Sequence, residues 1–250
     1  MAKTKETAHP GPLEFLPTDF ERFRPELARD PIHNAARLEV RRKLDGFGKR
    51  LAKRYALAGE TFVSRASLHH PYRFNAYKVE TQFVYLSRSD VERNKIKKIL
   101  GAELGADLDQ NYVHTLITLE IHEHGLELAL RVHQNAWWDG ENLKRQAARE
   151  DARTRLAAAL HALPGFAMRI HDFRREHPCE TMTGAELVET FKYYKPGEHW
   201  LHIERALARA DELVTVPGLE SRLATIFDTL LPVYRAIRWS PENNFLFAGA

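Results

Sequence analysis

The chain reads as an α+β fold: a central antiparallel sheet of four or five strands packed by long amphipathic helices, with a helical C-terminal part. Three observations predict it. Apolar and polar residues alternate over 113–134, the mark of a β-hairpin with one buried face. Val40, Leu44, Phe47, Leu51 and Tyr55 recur at steps of four, three, four and four, tracing one stripe of a long helix. Strand-like runs gather between residues 60 and 135 with helical runs on either side, which argues against alternating βαβ units.

Each element follows in order. Residues 1–12 lack periodicity and hold two prolines, so they read as a flexible lead-in to a single domain over 13–250. Phe15, Leu16, Phe20 and Phe23 suffice to dock a short helix or loop, with Thr18 or Asp19 as its cap. The first long helix is expected over Asn34–Leu57, and a short strand over 60–66. A firmer strand is expected over 77–87, with Tyr77, Val79, Thr81, Phe83 and Tyr85 inward and Lys78, Glu80 and Gln82 outward. Ser89 and Glu92 form a capping-box pattern for a helix reaching Leu100, with Gly101 suited to its C′ position. In the hairpin, a two-residue turn at His124-Gly125 pairs apolar with apolar across the strands. Val113, Ile117, Leu119, Ile121, Leu126, Leu128, Leu130 and Val132 then share one face, and His114, Thr118, Glu120, His122, Glu127, Arg131 and His133 the other. A polar-rich helix over 141–163 ends at Pro164-Gly165, with Asp139 as its N-cap and Trp137 or Trp138 as a core plug beneath it. Phe166, Met168 and Ile170 alternate as one more strand. Thr183 and Glu186 repeat the capping box before a helix ending near Tyr194. Trp200, Ile203 and Leu207 lie at helical spacing, and a last helix spans 219–237, kinked or split at Pro232.

Composition narrows the class. The chain has 250 residues, 44% hydrophobic and 28% charged, enough for a substantial core. No run approaches the ~20 apolar residues of a membrane span, no apolar run follows Lys3 and Lys5 as a secretory signal would require, and Cys179 is the only cysteine. A disulfide framework and a multi-cysteine zinc site are thereby excluded, and a cytoplasmic location without membrane contact is expected. Cys179 itself reads as an ordinary loop residue. The net charge of +3 hides an asymmetry: residues 1–100 hold 21 Lys and Arg against 12 Asp and Glu. Such a basic half suits a polyanionic partner, and equally suits two complementary faces or a homo-oligomer.

Two sets of residues could carry function. On the first long helix, Arg37, Arg41, Arg42, Lys43, Lys49, Arg50, Lys53 and Arg54 outnumber Glu39 and Asp45. Arg42, Lys49 and Lys53 stand at i, i+7 and i+11, a stripe able to neutralise phosphates along a nucleic acid. On the sheet, the outward Lys78, Glu80, Gln82, His114, Thr118, Glu120, His122, Glu127, Arg131 and His133 form one polar surface if strand 77–87 neighbours the hairpin. It is plain wet sheet, a binding surface, or a metal and acid–base site. As a nucleic-acid surface it lacks outward aromatics for stacking. His199 and His202 form an isolated i, i+3 pair. Phosphate loops, dinucleotide fingerprints and nucleophile elbows are absent from the sequence.

The leading expectation is a protein that binds nucleic acid without sequence specificity, alone or as a subunit of a larger assembly. Its contacts would be Arg41, Arg42, Lys49, Arg50, Lys53 and Arg54 on the helix, with Lys78 and Arg131 on the sheet. The competing expectation is a metal-dependent hydrolase, a nuclease among them, using Glu80, Glu120, His122 and His133 with a divalent metal. The third is a structural subunit that contacts a protein partner.

Overall fold

The computed structural model describes residues 11–104, 110, 112–171 and 173–247. The expected lead-in lies, up to residue 10, outside the described residues. The chain is indeed mixed helix and antiparallel sheet, but the sheet has seven strands, ordered β1-β2-β3-β4-β7-β5-β6. These are β1 Phe62–Ala66, β2 Thr81–Arg88, β3 Thr115–His122, β4 Gly125–Val132, β5 Ala167–Ile170, β6 His177–Pro178 and β7 Leu201–Ala208. The helices are α1 Pro17–Glu21, α2 Asn34–Leu57, α3 Asp90–Leu104, α4 Trp137–Ala148, α5 Glu150–His161, α6 Gly184–Tyr193, α7 Glu212–Thr215 and α8 Leu219–Ile237.

The strands are not confined to 60–135. β7 occupies the segment expected to be helical, because Leu201, Ile203 and Leu207 also satisfy a period of two and all three are buried. Insertion of β7 beside β4 turns the hairpin's outer strand into a central one. The expected 141–163 helix is two helices meeting at Arg149, whose backbone is extended (φ −93°, ψ 128°). α8 runs without a break through Pro232. Gly101, at φ 79°, interrupts α3 where the sequence places a C′ glycine. Thr183 and Glu186 close the capping box of α6 as expected. Asp19 accepts from the Leu16 amide at 2.9 Å at the start of α1.

The hairpin turn is Glu123-His124, not His124-Gly125, since His122 pairs with Gly125 and Ile121 with Leu126. This moves the pairing by two residues, so the face assignments survive within β3 and β4, whereas His114, before β3, is fully buried beside Trp138 at 5.8 Å. The glycine is needed where it stands: a Cβ at Gly125 would overlap the Leu207 carbonyl oxygen of β7.

One sheet face carries Val84, Leu86, Ile117, Leu119, Leu128, Leu130, Leu201 and Ile203, all buried. α2 and α8 pack there. Gly48 of α2 lies against Ser64 and Val84, and Phe47 meets Phe227 of α8 at 5.9 Å. At one end of this layer, Asp139 is not an N-cap but a fully buried carboxylate that binds Arg88. Among the described residues no helix is long and apolar enough to cross a membrane.

Candidate functional site

The parity of β2 is opposite to that expected, and this redraws the polar face. Gln82, Val84 and Leu86 lie opposite Ile121, Leu119 and Ile117, hence on the packed face. Phe83 and Tyr85 lie opposite Glu120 and Thr118, hence on the other. The strand begins at Thr81, so Tyr77 and Val79 do not belong to its alternation, and Phe83-Val84-Tyr85-Leu86 is apolar at both parities. Gln82 is buried, and its Nε2 donates to the Leu68 carbonyl at 3.5 Å. Lys78 and Glu80 sit before the strand and pair with each other at 2.8 Å. They close a loop in which Ala76 and Tyr77 adopt left-handed φ of 52° and 57°.

The face opposite α2 and α8 thereby acquires the aromatics that the sequence alone did not place there. Phe83 and Tyr85 of β2 contact Tyr112 at 6.0 and 5.2 Å between ring centroids. Tyr112 contacts His133 at 5.5 Å and Trp200 at 5.8 Å, and His133 lies 4.2 Å from Trp200. Trp200 continues to His202 at 5.9 Å, and His202 to His171 at 5.7 Å. Seven rings thus form an unbroken row from β2 to the end of β5, about 19 Å across four inter-strand steps. Phe83, Tyr112, His133 and Trp200 are half-buried, and His171 is exposed. The row is partly open to solvent.

Beside the row runs a charged network. Glu120 and Glu127 are directly opposed across β3 and β4, an arrangement that costs stability unless a cation intervenes. Arg131 is that cation. Its Nη1 and Nη2 each donate to Glu120 Oε2 at 3.1 Å, and Nη2 also donates to Glu127. Glu204 accepts from Arg169 Nε at 2.5 Å and faces His202 Nδ1 at 3.2 Å. Burial, with Glu204 and Glu120 nearby, lifts Glu127 above the usual carboxylate range against the pull of Arg131. Burial works against charge on Glu204 too, yet the His202 and Arg169 hydrogen bonds hold it down at about 2. Burial pushes His133 down to about 4 and lowers His202 despite its Glu204 partner. At neutral pH the two imidazoles are therefore uncharged rings.

The sign for His133 gives a test. Its native value lies below the ordinary 6.5, so the unfolded chain binds the proton more readily. Its contribution to stability is complete above pH 6.5 and is lost as pH falls toward 4. We expect His133→Phe to flatten the fall in urea midpoint between pH 7 and 4.5; parallel profiles for both proteins would refute this assignment.

The expected hydrolase set does not converge. Glu120 and His122 share one face two residues apart on β3. Glu80 precedes β2, paired with Lys78. The His133 amide bonds the His114 carbonyl, which sets His133 level with residue 114, about 20 Å along the strand from Glu120. Among the described residues no group of three or more His, Cys, Asp or Glu is placed to hold a metal ion. His199 and His202 do not share a helix face: His202 is in β7, and His199 Nδ1 accepts from the Lys195 amide at 3.2 Å. Cys179 is buried, which raises its thiol to about 12.

The basic helix lies on the far side of the sheet from the ring row, and most of its charges already have partners. Arg37 is fully buried and donates to backbone carbonyls, among them Leu27 at 2.6 Å. Arg41 donates to the Ser67 carbonyl at 2.8 Å. Ion pairs join Arg42 to Glu39, Lys43 to Asp19, Lys49 to Asp45, Arg50 to Glu220 and Arg54 to Asp228. Lys53 is exposed and, among the described residues, has no partner. The exposed pairs are individually worth about 0–1 kcal/mol and open readily. The stripe and the ring row face opposite directions, so the two do not form one surface.

No model of a known protein family matches the chain, and no curated protein matches it.

Proposed function

We propose that this protein binds single-stranded nucleic acid without sequence specificity, with the sheet face as a stacking platform. The observation that carries the reading is the row of seven rings from Phe83 to His171. Every base offers a π-face, so such a row is tolerant of sequence, and each stacked base contributes about 1–3 kcal/mol. Cations flank it. Arg65 on β1 lies opposite Tyr85 and is exposed, and Arg174 and Arg175 follow β5. None of the three has an ion-pair partner among the described residues. The network beside the rings sets three carboxylates against two guanidiniums and is not itself a phosphate site. Arg131 on this reading holds Glu120 and Glu127, and of the helix stripe Lys53, without a partner among the described residues, is left to attract a polyanion from a distance.

The test compares a fluorescent single strand of about a dozen nucleotides with the same sequence as a duplex, each at two salt concentrations. The expected result is preference for the single strand, with quenching of tryptophan emission and weaker binding at the higher salt. Equal affinity for the duplex would place the contacts elsewhere, and no binding at low salt would remove nucleic acid from consideration.

A further inference from the structure

Beyond His171, Phe173 lines a cavity of about 170 Å³ between the segment after β5 and α6. Ile170, Phe173 and Tyr193 form its apolar walls, and Arg175, His177 and Thr190 supply polar groups. Phe173 contacts Tyr193 at 5.9 Å and meets His199 edge-on at 5.5 Å. Buried His177 and Thr190 are joined through Nε2 and Oγ1 at 3.2 Å. Glu189 also lines the cleft, but its carboxylate is taken by Lys192 at 2.6 Å. Arg175 is exposed and, among the described residues, makes no hydrogen bond or ion pair.

Size and charge together select an occupant. A cavity of about 150 Å³ holds one benzene-sized ring, so this one admits a single ring and not a stack. A guanidinium that makes no direct ion pair among the described residues, with only the longer-range pull of Glu186 and Glu189, favours a ligand that carries an anionic group beside its ring, because Arg matches phosphate geometry with two parallel donors. We propose that the cleft takes the base of the terminal nucleotide of a bound strand, with Arg175 on the phosphate carried by that nucleotide's sugar. This rests on the reading of the ring row as a platform for single strands: the last ring of the row, His171, stands two residues before Phe173 of the cleft wall.

Two titrations test it on the full chain. In the first, a nucleoside monophosphate and its unphosphorylated nucleoside are added separately and binding is followed by chemical-shift changes at Phe173 and Tyr193. The monophosphate is expected to bind more tightly, and Arg175→Ala to weaken it about tenfold, the effect of losing one hydrogen-bonded charge. In the second, linear strands phosphorylated at the 5′ or the 3′ end are compared with a circular strand of equal length. A preference for one linear form, abolished by Arg175→Ala, supports the proposal and fixes the polarity. Monophosphate binding unaffected by Arg175→Ala overturns it, as does equal affinity for the circle. Should no strand bind while the monophosphate does so through Arg175, the platform reading fails and the cleft remains a ring-phosphate site.

Discussion

Replacing Asp139 by alanine is expected to lower stability by about 3–5 kcal/mol, the cost of leaving a buried guanidinium without its counter-charge. Asp139 is fully buried and Arg88 is 2% exposed. Arg88 Nη2 donates to Asp139 Oδ1 at 2.7 Å, and Nη1 to the Trp239 carbonyl at 2.8 Å. The Trp239 amide returns a bond to Oδ1 at 2.8 Å, and Thr115 Oγ1 donates to Oδ2 at 2.7 Å. One carboxylate therefore ties together the end of β2, the start of β3, α4 and the segment after α8. Against a typical total of 5–15 kcal/mol, its loss is a large fraction of stability. The urea midpoint of Asp139→Ala measures it. A double variant, Arg88→Met with Asp139→Leu, removes both charges and should recover much of the loss, since apolar replacement of a buried pair is often near neutral. A single variant that unfolds at the wild-type urea concentration would show that the network contributes nothing. Because β3 begins at Thr115, three residues after Tyr112, loosening this end should also blur the ring row before the fold is lost.

How much of this was legible depends on whether a pattern was local. α2 and α8 have the expected bounds because each carries an apolar stripe along its length, and α8 accommodates Pro232 without a break. The two faces of the hairpin were legible despite the displaced turn, since parity survives a shift of two. The orientation of β2 was not: with Phe83, Val84, Tyr85 and Leu86 in succession, no side chain marks the wet side, and only pairing with β3 decides it. β7 was hidden because Ile203 and Leu207 fit both periods, the helical one with Trp200 and the strand one with Leu201. These two strands supply Phe83, Tyr85 and His202, and Trp200 directly precedes β7, which is why the ring row could not be read. It gathers rings from five separate segments, and its only local trace is that Trp200 has the opposite parity to Leu201 and Ile203. Asp139 was misplaced for a similar reason: an acid at the start of a helix is ordinarily a cap, and nothing nearby reveals that Arg88 reaches it from β2.

Truncating Trp200 to alanine is expected to weaken binding of a single strand by about 5- to 140-fold, the equivalent of one stacked base at about 1–3 kcal/mol. Trp200 is the junction of the row, touching Tyr112, His133 and His202. Its removal takes away the largest ring and also frees His133, which it contacts most closely. Trp200→Phe keeps a ring in place and should recover most of the affinity, a result that a purely structural role for the indole would not give unless both variants also differ in urea midpoint. Tyr112→Leu adds a second arm: it preserves apolar contact with Phe83 and Tyr85 but removes the ring face, so its loss should resemble that of Trp200→Ala rather than wild type. The salt slope should be the same for Trp200→Ala as for wild type, because a stacking contact releases no counterions. Arg65→Ala should instead flatten that slope with a smaller effect on affinity at high salt. A charge reversal at Lys53 gives the opposing case. If Lys53→Glu weakens binding more than Trp200→Ala does, the phosphates follow α2 on the far side of the sheet, and the rings are packing for a face that binds no strand.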